Sequence, residues 1–170
     1  LARVVAPLAA AAYPEEPFAS ALDHHHSFVV AYDVKDGGDR GLDMHHDAAE
    51  VTLNVCLGRE FAGAGLRFCG EFGSAQHRVT TTVAHHTKGR AIVHLGRQRH
   101  GADDLTGGER LNLIVWARSS AFRSSASSDT LSTLSCSFSA SSSRTLLWLS
   151  RPPSRSSCSW SFSRSTVACR

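Results

Sequence analysis

The chain has 170 residues, with 18 Lys+Arg against 15 Asp+Glu and a formal net charge of +3. That length fits one domain with a single good core, plus a tail. The small charge and scattered arginines give no basic nucleic-acid face. No apolar run is long enough to span a bilayer. The first residue is Leu, so the sequence reads as a fragment or a processed form.

Residues 1–13 are rich in Ala, Leu and Val, with Pro7 near the start, and predict a short helix that Pro14 and Pro17 end. His24, His25 and His26 read as a polar loop, with metal binding as the rival reading. Residues 28–32 (FVVAY) are β-branched and aromatic and predict a strand. Residues 35–40, with Gly37 and Gly38, are a loop signal.

Residues 43–58 (DMHHDAAEVTLNVCLG) organise the rest of the chain. In an extended chain His45 and Asp47 share a face, because strand side chains alternate. The following residues alternate as well: Val51, Leu53, Val55 and Leu57 fall on one side, Thr52, Asn54 and Cys56 on the other. An imidazole and a carboxylate at one strand end supply two of the three donors of a two-histidine, one-carboxylate iron site. Residues 58–65 (GREFAGAG) are a turn, residues 66–69 a short strand, and residues 78–83 a Thr-rich strand.

Residues 89–116 (GRAIVHLGRQRHGADDLTGGERLNLIVW) contain a strand over 91–95, His100, a turn at Gly107-Gly108, and a last strand from Arg110 to Trp116. His94, His85 and His86 rival His100 as a third donor. Arg110 alternates in phase with Asn112, Ile114 and Trp116, so it can face the interior. A buried guanidinium without an acid partner is costly, so an inward Arg110 predicts an anionic ligand. Cys56 and Cys69 read as small buried hydrophobes. Short strands between Gly-rich turns, with helix only at the front, predict a mainly β barrel or sandwich.

After Arg123 the composition breaks. Serine dominates residues 124–165, and apolar residues occur singly or in one short run at 146–149. Such a segment buries too little surface to offset its chain entropy. The division is therefore a domain over 1–123 and a disordered Ser/Arg-rich tail over 124–170.

Taken together, residues 1–123, most strongly 28–118, resemble the Fe(II)/2-oxoglutarate-dependent dioxygenases, within them the prolyl and lysyl hydroxylase branch. The carriers are FVVAYD, the HxD of His45 and Asp47 with its flank, HLGRQRHG around His100, and GERLNLIVW after it. The resemblance implies a double-stranded β-helix, or jelly roll. It implies His45, Asp47 and His100 as catalytic iron ligands, and Arg110, ten residues past His100, as the 2-oxoglutarate anchor. Tyr32 matches a tyrosine of the co-substrate pocket; Thr52 and Asn54 share the inward face and are candidates to hydrogen-bond 2-oxoglutarate. Gly63-Ala64-Gly65 departs from the two adjacent glycines usual there.

The function this implies is hydroxylation of a substrate, a prolyl or lysyl side chain of a peptide or protein foremost, with release of succinate and CO2. A small-molecule substrate is the alternative. Ascorbate is implied as the reductant that keeps iron ferrous. Relatives of this kind work in the endoplasmic reticulum or the cytoplasm, and the sequence does not choose between them. Two rival readings stand beside this one: a cupin-like metal enzyme that does not use 2-oxoglutarate, and a truncated, inactive paralogue.

Overall fold

Alternating side chains give one strand of this protein two different neighbours. In the computed structural model, strand Val51–Gly58 turns Val51, Leu53 and Val55 towards an apolar layer and Thr52, Asn54 and Cys56 the other way. The structure describes residues 3–35, 37–128, 144–150 and 161–167.

In chain order the elements are helix α1 (Val5–Ala12), then strands β1 (His24–Asp33), β2 (Leu42–His45), β3 (Val51–Gly58), β4 (Phe61–Gly63) and β5 (Leu66–Glu71). They continue with β6 (Thr80–Ala84), β7 (Ala91–Leu95), β8 (Gln98–Ala102), β9 (Leu105–Arg118), helix α2 (Ser120–Ser128), β10 (Arg144–Ser150) and β11 (Ser161–Val167). The larger sheet has the order β1-β9-β3-β7-β10-β11, with β4 paired to β9; the smaller has the order β2-β8-β5-β6. Every pairing is antiparallel. From β1 to β9 the chain crosses repeatedly between the two sheets, at β1–β2, β2–β3, β4–β5, β6–β7, β7–β8 and β8–β9, as in a jelly roll.

Two cores result. The outer one joins α1 and the following turns (Tyr13, Phe18, Leu22) to Val51, Leu53, Val93 and Leu95. The inner one lies between the sheets and contains Tyr32, Leu66, Phe68, Ile92 and Leu105. Tyr13 donates its phenol to the Val93 carbonyl, which ties α1 to β7. No helix among the described residues is long and apolar enough to cross a membrane.

Three local expectations change. His24–His26 belong to β1, where they pair with Trp116–Arg118, because β9 is long enough to template them. Gly107 and Gly108 are not a turn; they lie within β9 where β4 crosses, and a Cβ on Gly108 would meet the Glu60 carbonyl oxygen at 2.1 Å. HxD does not lie on one strand: β2 ends at His45 and Asp47 is in the link to β3. His100 is on a strand of its own, β8. The expectation of disorder over 124–170 falls largely outside the described residues. Within that range the described parts are the end of α2 and the pair β10–β11, with β10 joined to β7 at Leu147–Leu149.

Candidate metal centre and co-substrate pocket

β2 and β8 pair so that His45 stands directly opposite His100. Their rings are 4.4 Å apart between centroids. Asp47 reaches the same point from the link, where its backbone N–H is held by the Gly96 carbonyl. One ligand atom from each of His45, Asp47 and His100 lies within 4.8 Å of the others. His45 Nε2 is 3.5 Å from Asp47 Oδ1, and His100 Nε2 is 3.6 Å from Oδ2. His45 Nδ1 lies 2.8 Å from the Asp43 carbonyl and His100 Nδ1 2.9 Å from that of Gln98. A carbonyl only accepts, so each Nδ1 carries the proton and each Nε2 turns a lone pair to the centre.

The electrostatics agree with that tautomer at His100. Burial pushes His100 down to about 3, with His94 beside it adding to the fall. Burial also lowers His94. The Asp47 carboxylate beside half-buried His45 instead raises its pKa and favours its proton in the metal-free site. Burial alone would raise Asp47, but His45, His94, His100 and Thr52 outweigh it and hold the carboxyl well below its usual range. The centre thus offers one carboxylate and neutral nitrogen at His100, which is the donor set a divalent cation needs.

A cavity of about 240 Å³ opens beside these groups, with Tyr32, Thr52, Asn54, Ile114 and Trp116 among its lining residues. Sheet register brings them there: Tyr32 faces Arg110 across β1–β9, Asn54 faces Ile114 and Thr52 faces Trp116 across β3–β9. Arg110 is fully buried behind this wall, its guanidinium carbon 4.6 Å from the Tyr32 ring centroid. One of its nitrogens donates to the Ala64 carbonyl. Nε and Nη2 have no hydrogen-bond partner among the described residues. Burial lowers its affinity for its proton, and an anion would reverse that penalty.

The residues expected from sequence are all brought to this region, but not with equal contacts. Asn54 Oδ1 is buried at the cavity with no hydrogen-bond partner among the described residues. Thr52 donates instead to Asp47 Oδ2 at 2.6 Å. His94, one of the rivals, is fully buried with Nε2 3.9 Å from Asp47 Oδ2. It lies behind the triad, not within the group whose donor atoms all lie together. Ala64 was the departure from the double glycine: it takes φ 54°, and its carbonyl is the one that Arg110 grips. Sequence offered no signal for that role. The departure is tolerated at a left-handed position where glycine is the easier residue.

No protein-family model matches the chain. It is 45% identical over 121 residues to "2-oxoglutarate and iron-dependent oxygenase domain-containing protein 2" of Mus musculus, across 71% of this chain and 34% of that protein. It is 33% identical over 108 residues to "Procollagen-lysine,2-oxoglutarate 5-dioxygenase 1" of Rattus norvegicus, across 62% of this chain and 13% of that one. A solved prolyl-4-hydroxylase of Pseudomonas putida aligns over 64% of this chain and 63% of its own, at 20% identity and a TM-score of 0.44. The chain spans about a third of the length of the mouse relative. Over these residues its sequence relatives are 2-oxoglutarate and iron-dependent oxygenase domain-containing proteins, matched at 42–45% identity.

Proposed function

We propose that this domain is an Fe(II)- and 2-oxoglutarate-dependent hydroxylase. Its overall reaction adds one oxygen atom of O2 to a C–H bond of the substrate, and the other to succinate, with CO2 leaving. The observation that carries the reading is a three-donor cluster lining a cavity, with a buried guanidinium behind the Tyr32 wall of that same cavity. Three donor atoms converge at one point, and a buried guanidinium has two donors with no partner among the described residues. A metal fits the first and the far carboxylate of a diacid fits the second. A metal enzyme that took no 2-oxoglutarate would leave Arg110 unpaired in the interior, at high cost.

In this reading His45, Asp47 and His100 hold the iron. When bound, iron supplies the oxidising chemistry that side chains lack. The chain's own residues do the rest. The Asp43 and Gln98 carbonyls fix both ligand tautomers. Arg110 takes the far carboxylate with parallel N–H bonds, and the Tyr32 ring lies under its cation. The apolar lining from Phe28, Val30, Leu66 and Ile114 keeps the pocket dry, which strengthens every charge contact inside it. The relationship to a procollagen-lysine dioxygenase supports a peptide side chain, lysyl or prolyl, as substrate.

The test is succinate release with Fe(II), 2-oxoglutarate, ascorbate and panels of lysyl and prolyl peptides, run beside small-molecule candidates. Turnover is expected in the wild type and a loss of at least 100-fold in His45→Ala and His100→Ala. Retained turnover in either variant would falsify the ligand assignment.

A further inference from the structure

The carboxylate of Asp47 has one contact that the ligand set alone does not require. Its terminal torsion is broad and roughly two-fold, so an unrestrained carboxylate can turn within a cavity. Here it is held. Thr52 Oγ1 donates to Oδ2 at 2.6 Å, and both residues are buried. Thr52 has one hydroxyl proton, and Asp47 takes it, so that hydroxyl has none left for a co-substrate oxygen. With Oδ2 fixed, Oδ1 faces His45 Nε2 and Oδ2 faces His100 Nε2. His94 closes the space behind Oδ2: its Nδ1 is bonded to the Leu95 carbonyl, its ring centroid is 4.4 Å from that of His100, and it is fully buried.

Strand geometry explains why Thr52 in particular does this. Asp47 ends the chain's passage out of β2, and the next strand begins at Val51. The first inward residue of β3 is Thr52, so it comes back beneath the carboxylate five residues on. Across the sheet it is paired with His94 on β7 and Trp116 on β9. Neither neighbour competes for its hydroxyl.

We propose that Thr52 is a positioning residue for the metal: its hydroxyl locks the Asp47 carboxylate in the orientation that completes the ligand set, and does not bind 2-oxoglutarate. This rests on the reading of His45, Asp47 and His100 as a metal centre. Hydrogen bonds to ligating groups typically alter metal affinity by about 10–100-fold.

The experiment titrates metal-free protein with Mn²⁺, following bound ion by electron paramagnetic resonance, in wild type, Thr52→Val and Thr52→Ser. Thr52→Val is expected to bind Mn²⁺ about 10–100-fold more weakly, with Thr52→Ser restoring wild-type affinity. At saturating Mn²⁺, affinity for 2-oxoglutarate is expected to be the same in all three. Thr52→Ala gives the same order should the valine variant fold poorly. The visible spectrum of Co²⁺-loaded protein is expected to change in the valine variant and return in the serine one, which general destabilisation does not produce. Wild-type Mn²⁺ affinity in Thr52→Val and Thr52→Ala overturns the proposal, as does a loss seen only for 2-oxoglutarate. If the wild type itself binds no Mn²⁺, the metal-centre reading falls with it; if the wild type binds and the variants match it, only the role of Thr52 falls.

Discussion

Arg110 is the residue whose energetics say most. A cation at 0% exposure with two unpaired donors is a cost that the ligand-free fold carries. Arg110→Met keeps much of the length and apolar contact and removes the charge. Ligand-free Arg110→Met is therefore expected to be more stable than wild type, by about 1–2 kcal/mol, measured by urea denaturation. The order reverses with 2-oxoglutarate and Mn²⁺ present. At 100 times its dissociation constant a ligand stabilises by about 2.7 kcal/mol, and the variant is expected to show none of that. Arg110→Met stabilised by 2-oxoglutarate as wild type is would contradict the anchor.

At the scale of elements, the site depends on backbone that is not itself chemical. Gly96 follows β7 and lies under the link that carries Asp47, with its own carbonyl accepting the Asp47 N–H and its N–H donating to Glu50. A Cβ there would sit 1.8 Å from the Ala49 carbonyl oxygen. Backbone cannot yield as a flexible side chain does. Gly96→Ala is expected to lower both the thermal midpoint and Mn²⁺ affinity, whereas Gly89→Ala, which meets nothing within 4 Å, leaves Mn²⁺ affinity unchanged. Arg97 supplies a second constraint. It bonds Glu71 at the end of β5 and Glu16 after α1, and burial, which disfavours its charge, is outweighed by these two acids. Arg97→Ala is expected to loosen the N-terminal segment first, seen as faster hydrogen exchange at the turns after α1 while the β3–β9 pairing stays protected.

At the scale of the molecule, acid should unfold the metal-free domain in a particular window. Burial lowers His86 to about 4 and His100 to about 3, and lowers His94. Unfolded, each returns to about 6.5. Between those values the unfolded chain binds more protons, so stability rises with pH there and is lost as pH falls from about 6.5. His86 alone accounts for up to about 3 kcal/mol between pH 7 and 4. Chemical denaturation of metal-free protein at pH 7 and pH 5 measures this, with a shallower pH slope expected in His86→Gln.

Much of this organisation was legible in the letters. The period-two pattern from Val51 onward fixes which β3 residues meet α1 and which meet the cavity, because a one-residue slip would exchange them all. Phase along β9 put Arg110 and Trp116 on the inner face. What stayed hidden depends on contacts between distant segments. Nothing near Thr52 says that its partner is Asp47, since that bond exists only once the link has doubled back. His94 read as a rival third donor; its place behind Asp47 follows from β7 pairing with β3. The strand holding Gly107 and Gly108 looked like a turn because β4, which pairs with it, is only three residues long.

The central claim is that a three-donor metal centre and the guanidinium buried behind its cavity hold the two ends of one diacid. Anaerobic calorimetry of 2-oxoglutarate into protein with and without Fe²⁺ addresses both halves together. Binding is expected to be tight only with Fe²⁺, to vanish in His100→Ala, and to weaken by 100-fold or more in Arg110→Ala while Fe²⁺ affinity in that variant is unchanged. Equal 2-oxoglutarate binding with and without the metal, or in Arg110→Ala and wild type, would contradict it.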